Sequence, residues 1–105
     1  MWDMDNEQTP LVSAPRRAER IETILRRALA PITLSVTDDS AQHAGHAGAQ
    51  PGGETHFSVI CVAEAFAGQS RVARSRAVHE LLADELAGGL HALALNLRTP
   101  EEMLR

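Results

Sequence analysis

Between residues 21 and 29 the apolar side chains fall at Ile21, Ile24, Leu25, Ala28 and Leu29. That spacing puts them on one face of a helix. Arg20, Arg26 and Arg27 take the other side. Ser13 is placed to cap this helix with Pro15 in its first turn, and Pro31 ends it. The period then drops to two. Ile32, Leu34 and Val36 alternate with Thr33, Ser35 and Thr37, the pattern of a strand with one buried face. Residues 56–63 (His-Phe-Ser-Val-Ile-Cys-Val-Ala) are apolar on both faces after Ser58 and rich in β-formers, which predicts a central strand.

The second half repeats the alternation of periods. Phe66-Ala67-Gly68-Gln69-Ser70 turns the chain, and Ser70 caps a second helix over residues 71–86. Its buried stripe is expected at Val78, Leu81, Leu82 and Leu86, and Gly88-Gly89 stop it. Leu93, Leu95 and Leu97 then face one way along a third strand. Thr99 caps a short last helix with Pro100 at its first position and Glu101 and Glu102 at its positive end. The order α-β-β-α-β, with that short C-terminal helix, predicts an α+β sandwich: a three-stranded sheet with its helices on one face. Residues 1–13 are polar and aperiodic and read as a flexible tail, with the domain over 14–105. The connection over 39–55 is long for a compact domain, and connections of that length are often functional.

Composition narrows the options. Aromatic residues make up only 3% of the chain, so its core rests on Leu, Ile, Val and Ala. The net charge is −4 and every basic residue is Arg, which disfavours nucleic-acid binding by bulk electrostatics and leaves room for a local patch. The single Cys61 rules out an internal disulfide and fits a reducing compartment. No apolar run approaches the roughly 18–20 residues that cross a bilayer. The acidic N-terminus lacks the pattern of a signal peptide, and the expectation is a cytoplasmic protein without membrane contact.

The candidate chemistry lies in the long connection. Residues 43–56 hold three of the five histidines among glycines, a composition suited to a mobile segment. Neutral imidazole is a ligand for Zn, Cu, Fe and Ni. His43 and His46, three residues apart, are spaced to chelate one ion together, as an alternative to a plain solvated loop. His91, just after Gly88-Gly89, approaches that loop if the second helix returns the chain parallel to a sheet strand; otherwise it is a partly buried strand histidine with the parity of Leu93. His79 beside Glu80 reads as a surface residue, and His56 as a partner for Glu54 or a strand neighbour. Asp38 and Asp39 point to opposite faces of a strand, and Cys61 sits in an apolar strand where a thiol is inert packing. No phosphate-binding loop is present, and Gly45-His46-Ala47-Gly48 joins strands instead of opening a helix. Binding rather than catalysis is expected.

Several segments, read in order, resemble the BolA family: Asp38–Gly48, Gly53–Val62 with Glu54-Thr55-His56-Phe57, Phe66-Ala67-Gly68-Gln69-Ser70, the His91-Ala92-Leu93-Ala94-Leu95 run, and Arg98-Thr99-Pro100-Glu101-Glu102. The resemblance covers residues 16–103. It implies a fold similar to the class II KH domain, and a partnership with a monothiol glutaredoxin in which the two proteins share a [2Fe–2S] cluster. In such pairs one ligand is the histidine that here is His91. Another follows a serine by about three residues in the first inter-strand loop, here Ser40-Ala41-Gln42-His43, so His43 is preferred and His46 is the alternative loop ligand. The glutaredoxin cysteine and a glutathione thiol complete the set. Such clusters need four ligands, at least half of them usually thiolates, and this chain has one thiol. The resemblance therefore implies half a site, with no cluster in the isolated protein, which alone is a monomer or weak homodimer. One departure is the second helix, where Arg74-Ser75-Arg76 stands in place of the family's Arg-His-Arg.

The leading expectation is thus iron–sulfur trafficking or iron and redox sensing in a stress response. The competing one is a transcriptional regulator that holds DNA through Arg71, Arg74 and Arg76 near the start of the second helix, the same arginines also serving as partner contacts. A third is a lone Zn, Cu or Ni ion on His43 and His46.

Overall fold

The computed structural model describes residues 14–40 and 54–104. Helix α1 spans Arg17–Leu29, strand β1 Thr33–Asp38 and strand β2 His56–Val62. A single 3-10 turn, Glu64–Phe66, leads to helix α2 (Arg71–Leu81) and the short helix α3 (Ala83–Ala87). Strand β3 (Ala92–Arg98) and helix α4 (Pro100–Met103) follow. The α+β sandwich expected from the pattern is the architecture observed.

The sheet has the order β1-β2-β3. β1 is antiparallel to β2, in a register running from Thr33 opposite Val62 to Asp38 opposite Phe57. β3 is parallel to β2, with His56 opposite Ala92 and Val62 opposite Arg98. A parallel neighbour needs a crossover, which α2 and α3 provide. α1 packs on β1 and against α2, and α2 packs on β3. The core lies between the sheet and this single helical layer. It joins Ile21 and Leu25 of α1, Phe57, Val59 and Cys61 of β2, Phe66, Val78, Leu82 and Leu90. Leu34, Val36, Leu93, Leu95 and Leu97 close it from the flanking strands.

Several expectations change in detail. α1 begins at Arg17 with Arg16 at the cap, where the Arg16 N–H donates to the Glu19 carboxylate at 3.0 Å; Pro15 precedes the helix and Ser13 lies outside the described residues. Ala28 is exposed on α1. Ile32 is 67% exposed because it lies before the first ladder pair, at the margin of the sheet. β2 is central, as expected, yet among the described residues only one of its faces is covered, and Ile60 looks outward at 43% exposure. The second helix is broken at Leu82 (φ −101°, ψ 18°). Val78 and Leu82 of the expected stripe are buried in the core and Leu81 and Leu86 pack against it partly buried, while α3 also buries Glu85. The last turn behaves as expected: Thr99 Oγ1 accepts the Glu102 N–H at 3.1 Å and the Glu102 carboxylate accepts the Thr99 N–H at 2.9 Å, the reciprocal arrangement of a capping box.

Candidate functional site

The two ends of the long connection are bolted together by buried hydroxyl groups. Ser40 Oγ accepts the Thr55 N–H at 2.8 Å and the His56 N–H at 3.1 Å, and lies 3.2 Å from Thr55 Oγ1. Asp38 accepts the Ser40 N–H at 2.9 Å and the Glu54 N–H at 3.0 Å. Burial works to raise the Asp38 carboxyl pKa, and the hydrogen bonds from Ser40 and the Glu54 amide outweigh it, leaving the group below its ordinary value. Asp39 serves a different segment: its N–H donates to the His56 carbonyl at 2.7 Å and its carboxylate accepts the Ser58 hydroxyl. Ser40 and Glu54 therefore bracket residues 41–53 as a closed pair of stems. His43 and His46 fall inside that bracket, outside the described residues.

His91 is drawn to the same place. Its N–H donates to the Thr55 carbonyl at 2.8 Å, and the next amide, of Ala92, donates to that oxygen at 3.1 Å. The parallel β2–β3 pairing makes this contact possible. The imidazole is exposed rather than partly buried, because His91 precedes the strand instead of continuing its inward parity. The rings of His91 and His56 lie 6.1 Å apart between centroids, and His56 Nδ1 lies 2.9 Å from Thr55 Oγ1. Two imidazoles and the stems of the loop thus meet around one residue, Thr55.

Chemically this is a borderline-ligand site without a thiolate. Cys61 is fully buried on the inward face of β2, and burial pushes its thiol pKa up, so it stays protonated and turned away. Among the described residues no three His, Cys, Asp or Glu side chains are grouped to hold a metal ion.

The arginines expected to meet a partner or DNA divide. Arg71 and Arg76 are exposed on α2. Arg74 is buried, and the expectation that it reaches a phosphate or partner is corrected. Its guanidinium forks onto Glu102 at 2.7 and 2.9 Å and donates to the carbonyls of Gln69 and Leu97, each at 3.0 Å. It also lies 5.8 Å from the centre of the Phe66 ring. Placed four residues before the buried Val78, Arg74 shares its helix face, and the side chain ties α2 to β3 and α4. His79 is exposed as expected, its Nδ1 bonded to the Ser75 carbonyl at 2.8 Å. With Arg71, Asn96 and Arg98 it lines an open cleft of about 830 Å³ between α2 and β3.

A further cluster had no signal in the pattern. Arg17 and Arg20 both bind the Glu85 carboxylate, at 2.9 Å from Arg17 and 2.7 and 2.9 Å from Arg20. The hydrogen bond from Arg20 lowers the Glu85 pKa most; burial opposes it and Arg17 adds to the lowering. Arginines at the start of one helix and a carboxylate 68 and 65 residues later leave no mark on local periodicity; only the tertiary fold joins them.

A family model for BolA-like protein matches residues 25–102. This chain belongs to the BolA-like family. It is 45% identical over 97 residues to the SufE-like protein 1, chloroplastic/mitochondrial, of Arabidopsis thaliana, covering 89% of this chain and 26% of that protein. It is 46% identical over 88 residues to protein BOLA1, chloroplastic, of the same plant, covering 82% of this chain and 55% of that one. This BolA-like chain thus spans a quarter to about half of the length of these relatives. The solved BolA domain of SufE1 from Arabidopsis thaliana superposes with a TM-score of 0.76 at 46% identity, covering 86% of this chain and 99% of the domain. The described fold is therefore that of a BolA domain. No helix among the described residues is long and apolar enough to cross a membrane.

Proposed function

We propose that this BolA-like chain contributes two imidazole ligands to a [2Fe–2S] cluster shared with a monothiol glutaredoxin and glutathione, and acts as a carrier or sensor of that cluster rather than as an enzyme. The observation that carries the reading is the convergence on Thr55. Its carbonyl holds the His91 amide, and its own amide is held by Ser40, the residue from which the His43 segment departs. Three residues of chain reach at most about 10 Å and six about 20 Å. In the sequence His43 follows Ser40 by three residues and is the preferred loop ligand, while His46, six residues on, remains the alternative.

The donor set fits half of such a site. Imidazole is an accepted ligand of one iron when thiolates hold the other, as in Rieske-type centres. The chain's own thiol is buried and protonated, so the thiolates come from the glutaredoxin cysteine and from glutathione. A half-site cannot keep its cargo alone, and this suits a cluster passed between proteins.

The test is reconstitution of the purified chain with a monothiol glutaredoxin, glutathione, iron and sulfide, followed by visible circular dichroism. A mixed-complex spectrum is expected from the wild type, lost in His91→Ala and in His43→Ala and retained in His46→Ala. A His91→Ala spectrum identical to that of the wild type would overturn the proposal.

A further inference from the structure

Arg17 is nearly buried, its side chain 12% exposed, and makes contacts that Arg20 does not. Nε donates to Glu85 at 2.9 Å, one terminal nitrogen donates to the Glu54 carbonyl, and the other donates to the Gly88 carbonyl at 2.9 Å. The Arg17 backbone N–H adds a bond to the Glu54 carboxylate at 2.9 Å. Glu54 is the residue on which the 41–53 segment ends, immediately before Thr55 and His56. Gly88 opens the turn that delivers His91. One guanidinium therefore holds both chain segments on which the half-site is built.

Glu54 shows why such a hold is needed. Its φ of 70° places a residue with a Cβ in the left-handed region, which persists only where surrounding contacts over-determine it. Here those contacts are Arg17 on the carbonyl and carboxylate and Asp38 on the amide. Arg20 shares the Glu85 carboxylate, but its remaining bond goes to the Pro15 carbonyl at 2.6 Å, on the segment that enters α1.

We propose that Arg17 is the positioning residue of the half-site: its guanidinium, bridging Glu54, Glu85 and Gly88, fixes the exit of the 41–53 segment relative to His91. What the half-site holds rests on the shared-cluster reading; the geometric role does not. A lysine retains the charge and the aliphatic stem but lacks the planar fork that serves three acceptors at once.

The experiment compares the wild-type chain, Arg17→Ala, Arg17→Lys and Arg20→Ala, each labelled with 15N. Amide exchange is followed at Thr55, His91 and Ala92, with Val59 in the sheet centre as the internal reference. In both Arg17 variants the His91 and Ala92 amides are expected to exchange about tenfold faster relative to Val59. Arg20→Ala should shift all four amides together or none. Arg17→Lys keeps the assay available if Arg17→Ala fails to fold. With a monothiol glutaredoxin and glutathione, the Arg17 variants should lose or reshape the mixed-complex dichroism spectrum, and Arg20→Ala should keep it. His91 exchange that tracks Val59 in the Arg17 variants overturns the proposal, as does an Arg20→Ala variant with the same local effect. If the local exchange pattern appears but the wild type forms no mixed cluster, the positioning role stands and the cluster reading falls.

Discussion

Arg74→Ala removes a two-pronged ion pair and two bonds to backbone carbonyls from one buried position. Hydrogen bonds between charged groups contribute more than neutral ones, so the expected loss is about 2 kcal/mol. Urea denaturation should register it as a lower midpoint. Glu85 gives a prediction in pH. Its folded pKa is depressed, chiefly by the hydrogen bond from Arg20 and then by Arg17, against the opposing effect of burial. Its contribution is therefore complete above the unfolded carboxylate pKa of about 4 and is lost as pH falls through the lower folded value. Asp38 is depressed too and adds to the same acid limb. Denaturation midpoints should fall below about pH 4, and Glu85→Gln should flatten that fall. At this scale the sequence was readable where burial follows composition. Cys61, inside an apolar strand, is buried as expected. Arg74 was misread because a charged residue in an amphipathic helix is assigned to solvent unless its partner is known, and Glu102 comes 28 residues later.

Hydrophobic period located nearly every element, since burial on one helix face or one strand face is a local property of the sequence. The exceptions have tertiary causes. The second helix breaks at Leu82, and Ile60 faces outward because among the described residues no second helical layer covers β2. The glycine and histidine content of 43–56 pointed to the connection, and the BolA resemblance pointed to Ser40, but nothing in the pattern revealed that Ser40 and Thr55 lock the stems. That lock yields its own prediction. Ser40→Ala strips the acceptor from two amides at a buried site, at an expected cost of about 1–3 kcal/mol. Thermal melting should show the loss, and amide exchange at Thr55 and His56 should quicken before that at Val59.

For the molecule as a whole, the parallel return of β3 matters most. It carries His91 to the mouth of a connection that begins and ends beside it, while the only thiol is kept on the inner face. An antiparallel β3 would have sent His91 to the opposite end of the sheet. On the proposed function, the arrangement lets a small domain with one buried cysteine offer nitrogen ligands and leave sulfur to its partner. The most direct measurement is pulsed electron paramagnetic resonance on the reduced cluster of the complex between this chain, with only its histidines labelled with 15N, and an unlabelled monothiol glutaredoxin. Two distinct 15N couplings are predicted, one of them lost in His91→Ala. A reduced cluster without 15N coupling would mean that no imidazole of this chain binds iron, and would contradict the account.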